Sequence, residues 1–110
     1  MGSSALPLLQ GTLDLIILGT IRPKPIHGYG IATAVDERSG GQLQVEDAAL
    51  YQALHRLERQ RYVTAEWGAS ENNRRARFYV LTPAGRRRLA EQSRYWRRYA
   101  KALDAVLDGA

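Results

Sequence analysis

After Thr82-Pro83 the sequence contains no further proline, and its apolar residues recur at helical intervals. Leu89, Ser93, Trp96, Ala100, Leu103 and Leu107 are spaced 4, 3, 4, 3 and 4, an a/d seam over nearly three heptads. Proline suits a first helical position and the threonine before it can cap. Gly85 stands where a capping-box acid would fall. The spacing predicts a helix to about Leu107 with Gly109 as its stop, roughly 38 Å long at 1.5 Å per residue. In a chain of 110 residues, that helix has more apolar length than one small core can cover. The seam therefore predicts a two-fold homodimer, the alternative being packing wholly within the chain. Leu6, Leu8 and Leu9 are expected to supply the other side of the contact.

The elements before it read as three helices and a hairpin. Leu9, Leu13, Ile16, Ile17, Thr20 and Ile21 predict a first helix over 6–21, stopped by Arg22-Pro23-Lys24-Pro25. A second helix is expected from near His27, with Ile31, Ala32 and Val35 inward and Ser39-Gly40-Gly41 as its stop. Gly28 and Gly30 weaken it, which predicts close packing against a neighbour. In the third, Leu50, Leu54 and Leu57 fall at i, i+4 and i+7. Glu46 and Asp47 lie near its start, where the helix dipole favours acids. Val63–Trp67 and Arg77–Leu81 are β-prone, and the polar stretch 68–76 joins them as a hairpin. Met1–Ala5 is expected to add nothing to the fold. The fold class expected is mainly α with a β-hairpin. A winged helix-turn-helix spans 6–82 and a dimerisation helix spans 83–108.

Such a fold points to double-stranded DNA, with the third helix in the major groove and the hairpin on backbone or minor groove. On a helical wheel Leu50, Leu54 and Leu57 cluster within about 60°. Ala48, Gln52, His55, Arg56 and Arg59 fall opposite. Glutamine can pair with adenine, and arginine with guanine or phosphate. Small residues at Ala48 and Ala49 would let the backbone approach the bases. Arg74, Arg75 and Arg77 give the hairpin a basic tip and flank. Taken alone, each of these faces also reads as ordinary solvated surface.

The charge distribution agrees. The net charge is +5. Residues 1–60 hold 5 basic and 6 acidic residues, net −1, whereas residues 61–110 hold 11 and 5, net +6. All but Lys24 and Lys101 of the basic residues are arginine, a planar fork suited to phosphate. The run of Arg86, Arg87, Arg88, Arg94, Arg97 and Arg98 reads first as a solvated helix face, and otherwise as a steering field.

Other classes fit poorly. With no cysteine there is no disulfide, thiolate nucleophile or cysteine zinc site. His27 and His55 stand apart, and no acid cluster has metal-ligand spacing. No enzyme, cofactor or metal is expected, and each histidine reads as a packing, capping or DNA-contact residue. No apolar run nears the ~18–20 residues of a membrane span. The N-terminus has no basic run or cleavage pattern, so a cytoplasmic location is expected. Trp96, with Tyr95 and Tyr99, could form an aromatic wall for a flat small-molecule effector, or could be plain interface core. A winged helix used only for protein–protein contact is the competing function, and the arginine hairpin argues against it.

The sequence resembles the PadR family of bacterial transcription regulators, in its short form with a single additional helix. The matching stretches are Gly11-Thr12-Leu13-Asp14-Leu15, His27-Gly28-Tyr29-Gly30-Ile31, Leu50 through Glu58, Glu66-Trp67-Gly68 and Arg74 through Arg86. They cover about residues 6–108 in order. The resemblance implies a homodimeric repressor whose last helix meets the partner's first and last helices. It also implies small aromatic or cationic effectors near the interface. Trp96 matches the family's central tryptophan, Tyr51 its recognition-helix tyrosine, and Arg74, Arg75 and Arg77 its wing bases. Val80 and Ser93 depart from the pattern. Together these readings place DNA contacts at Ala48, Ala49, Tyr51, Gln52, His55, Arg56, Arg74, Arg75 and Arg77. They place the effector or dimer interface at Leu9, Leu89, Ser93, Trp96, Ala100, Leu103 and Leu107.

Overall fold

A computed structural model describes residues 5–109; the expectation for residues 1–4 lies outside them. The element order is α1 (Leu13–Ile21), β1 (Ile26–His27), α2 (Gly28–Arg38), α3 (Asp47–Arg59), β2 (Val63–Ala69), β3 (Arg75–Leu81) and α4 (Pro83–Leu107). β3 is the central strand of a three-stranded antiparallel sheet in the order β1-β3-β2. Val63 pairs with Leu81 at the base of the hairpin and Ala69 with Arg75 near its tip. This is the winged-helix arrangement expected, with the long last helix in place.

The core lies where the three short helices meet the base of the sheet. Ile17, Leu18, Ile31, Leu50, Leu54, Leu57 and Val63 are fully buried, and Leu89 closes the cluster from α4. Truncating one of the buried leucines to alanine would cost about 2–5 kcal/mol. Thr20 is the buried polar residue among them, and its hydroxyl donates to the Ile16 carbonyl at 2.6 Å.

Two boundaries differ from the sequence reading. The first helix starts at Leu13, not near Leu6. Pro7 and Gly11, the latter at φ +85°, break the earlier turns, and Thr12 then donates to the Leu9 carbonyl. Leu9 therefore sits outside α1, at the start of a turn that the Thr12 amide closes onto its carbonyl at 3.1 Å. The strands also run further toward the hairpin tip than expected, so Ala69 and Arg75 are still paired.

Three local devices fix the chain between elements. The α2 helix stops at Gly40 and Gly41, at φ +63° and +80°, which glycine adopts without strain. The α3 helix stops where Arg61 turns left-handed (φ +65°) and the Tyr62 amide reaches back to the Leu57 carbonyl at 3.0 Å. At the start of α4, Thr82 Oγ1 accepts from the Gly85 amide at 2.9 Å and donates to the Arg61 carbonyl at 2.7 Å. A Cβ on Gly85 would stand 2.0 Å from the Tyr62 carbonyl oxygen. That contact explains why no capping-box acid is found at this position.

Candidate nucleic-acid interface

The α3 helix divides as its periodicity requires. Leu50, Ala53, Leu54 and Leu57 are buried; Ala48, Tyr51, Gln52, His55 and Arg59 are exposed, and Ala49 is half-buried. Tyr51 lies across the first turn of α2, where a Cβ on Gly28 would meet its hydroxyl at 2.5 Å. The glycine expected to allow close packing thus lets the α3 tyrosine lie down on α2.

Two arginines expected at DNA are engaged within the chain. Arg56 is half-buried and donates to the Asp14 carboxylate of α1. Arg77 is half-buried and donates to Glu58 Oε2 at 2.9 Å, joining the last turn of α3 to β3. Both pairs are partly solvated, so each contributes only about 0–1 kcal/mol to stability. Their effect here is positional, since they brace α3 from two sides. Arg74 and Arg75 are exposed at the tip of the hairpin and have no carboxylate partner among the ion pairs of the described residues.

The hairpin tip is also tied to α2. His27 caps that helix, with Nδ1 accepting from the Gly30 amide at 3.0 Å. The remaining ring nitrogen, Nε2, must then carry the proton, and it lies 3.2 Å from Glu71 Oε1 in the hairpin loop. The Glu71 carboxyl is held below its ordinary 4.5, first by its own backbone N–H and then by the His27 ring. The Tyr79 phenol is raised above its ordinary 10.0, chiefly by burial.

On one face of the hairpin an aromatic–cation ladder runs from base to tip. Arg77 lies 5.8 Å from the Tyr79 ring and 6.0 Å from Trp67, and Arg75 lies 4.4 Å from the Trp67 ring. Strand alternation puts Trp67 on the same face of β2 as the buried Val63. Trp67 is nevertheless 60% exposed, because the core ends before the hairpin does. Its cross-strand partner in register is Arg77.

The residues expected at a dimer or effector interface separate along α4. Leu89 is buried in this chain's own core, and Ser93 and Ala100 are half-buried. Trp96 is 37% exposed, and Leu103 and Leu107 rise to 45% and 72%. A concavity of about 750 Å³ brings Leu9, Thr12 and Leu15 together with Gln92, Trp96 and Tyr99. The Trp96 and Tyr99 rings stack with centroids 6.3 Å apart. Gln92 Oε1 is buried and has no hydrogen-bond partner.

A helix with one buried and one exposed polar face, beside a basic hairpin, defines a protein of the winged-helix class. Residues 17–91 match the Transcriptional regulator PadR-like family, and the chain belongs to that family. A protein of Lysinibacillus sphaericus known as uncharacterized protein X is 28% identical over 102 residues, 93% of this chain and 94% of its own. A PadR family transcription regulator from Clostridium difficile is 27% identical with TM-score 0.78, covering 88% of this chain and 99% of its own. A PadR family transcriptional regulator from Eggerthella lenta is 25% identical with TM-score 0.77, covering 92% and 86%. Family and fold are those of transcriptional regulators, which are generally not enzymes. No helix among the described residues is long and apolar enough to cross a membrane.

Proposed function

We propose that this chain is a homodimeric repressor that binds a roughly palindromic site in double-stranded DNA. Residues 6–82 form the DNA-binding unit and residues 83–108 the dimerisation helix. The observation that carries this reading is the split of α3. Its leucines are buried, while Gln52, His55 and Arg59 face solvent next to a hairpin bearing Arg74 and Arg75. Gln52 reads bases in the major groove and Arg75 neutralises backbone phosphate. Arg56 and Arg77, held by Asp14 and Glu58, set the angle of α3 and the hairpin. The exposed outer half of the α4 seam supports dimerisation, with a partner helix covering Leu103 and Leu107.

Fluorescence anisotropy of labelled duplexes across a salt series tests the DNA reading. Arg75→Ala should weaken binding to every sequence and lower the salt slope by about one. Gln52→Ala should change which sequence is preferred. A protein that binds no duplex at any salt concentration would instead be a protein-contact module.

A second role, effector sensing, is favoured by the concavity beside Trp96. Its stacked aromatic rings suit a planar ligand, and the unpartnered Gln92 oxygen offers an acceptor to a cationic or N–H-bearing one. Titration of planar cations against Trp96 emission in a Trp67→Phe background tests it.

A further inference from the structure

Trp67 is an exposed indole toward the tip of a hairpin that also carries Glu71, Arg74 and Arg75, and the DNA contacts proposed above leave it unused. Large apolar side chains in solvent carry a hydration cost that burial would relieve. Here the ring stands on the same hairpin face as Arg75 and Arg77, with the Arg75 guanidinium 4.4 Å from its centroid. Residues 75, 77 and 79 alternate to one face of β3. Toward the base of the hairpin that face is closed, since Arg77 is bonded to Glu58 and Tyr79 is buried. Toward the tip it is open. Trp67, Gly68, Ala69, Asn73 and Arg75 line a shallow concavity of about 340 Å³ there.

A flat apolar ring beside an unpaired guanidinium fits a sugar–phosphate chain. The cation takes the phosphate oxygens, and the ring packs on deoxyribose carbons or an exposed base edge. A protein surface is the weaker match, because an arginine with no carboxylate partner would have to be desolvated against it. We propose that Trp67 is itself a DNA-contact residue. The indole lies on the deoxyribose wall of the minor groove next to the half-site, while Arg75 holds the adjoining phosphate. This inference rests on the reading of the chain as a DNA-binding regulator and adds a contact that reading does not require.

The test uses the full chain labelled with 5-fluorotryptophan. It has two tryptophans, so two fluorine resonances are expected, assigned with Trp67→Phe and Trp96→Phe. Adding a bound duplex should shift the Trp67 resonance and shield it from solvent. Trp67→Ala should lower duplex affinity about tenfold with an unchanged salt slope, and Trp67→Phe should recover much of the loss. Thermal melting of both variants should match that of the parent, since the ring supports no core residue. If affinity falls only together with a loss of about one in the slope, the indole merely orients Arg75, and direct contact is wrong. Unchanged affinity and an unmoved resonance on a duplex that still binds would also overturn it. Failure of the parent chain to bind any duplex would overturn the underlying DNA reading instead, which keeps the two failures distinct.

Discussion

Arg77 donates to Glu58 at 2.9 Å, so the strand that carries the wing is bonded to the helix proposed to read the DNA bases. The pair spans 19 residues of sequence and joins the two elements that must meet DNA together. It also means that the Arg77 charge is neutralised within the chain. Glu58→Gln should therefore leave the melting temperature nearly unchanged, because a half-exposed pair contributes about 0–1 kcal/mol. The same variant should bind non-specific duplex more tightly and steepen the salt slope by about one, since a freed guanidinium adds one phosphate contact. Anisotropy at several salt concentrations measures both effects. An unchanged slope would show that Glu58 does not hold Arg77 back.

Gly28 and Gly85 should respond differently to alanine. At Gly85 the added Cβ would meet the backbone carbonyl of Tyr62 at 2.0 Å, and backbone cannot swing aside. Gly85→Ala should cost about 3 kcal/mol, the upper end for overpacking, seen as a lower midpoint in urea. At Gly28 the obstacle is the end of the Tyr51 side chain, which can rotate away. Gly28→Ala should cost less stability and should change DNA affinity more, because it displaces a residue of the proposed recognition surface.

The tie between His27 and Glu71 has a defined pH window. The Glu71 carboxyl is held below 4.5 in the folded chain. A depressed carboxylate stabilises above its unfolded value, and that contribution is lost as pH falls through the folded one. The hairpin tip should thus stay fastened at neutral pH and come loose only in acid. Carbon-13 NMR of the carboxyl should give a midpoint below 4.5. In His27→Asn, where the short amide still caps α2 but cannot reach the loop, the midpoint should rise part of the way only. The larger contribution, from the backbone N–H of Glu71 itself, remains.

Much of this architecture is legible in the sequence because it is periodic or punctuated. Leu50, Leu54 and Leu57 give α3 its buried face, Thr82-Pro83 opens α4, and Gly40-Gly41 closes α2. The β1 strand is two residues long and lies beside Pro25, too short for any alternation to register. The late start of α1 depends on the backbone of Gly11, which a count of apolar intervals does not contain. The bracing pairs Asp14–Arg56 and Glu58–Arg77 and the tie His27–Glu71 link residues far apart in sequence, and no spacing rule connects them. For that reason the carboxylate partners of Arg56 and Arg77 are not visible when the sequence is taken residue by residue. Strand alternation says which face a residue takes, not where along the strand the core stops, so the exposure of Trp67 is not written in the alternation of Val63–Trp67.

Selection of bound duplexes from a random pool tests the central claim, a two-fold DNA-binding regulator, most directly. Two copies of α3 related by a two-fold axis should sit one turn of B-DNA apart, about 34 Å. The account predicts an enriched inverted repeat with half-site centres about 10 base pairs apart, and a changed preference within each half-site for Gln52→Ala. Enrichment of a single unpaired half-site would contradict the two-fold arrangement, and no enrichment over the starting pool would contradict sequence-specific DNA binding itself.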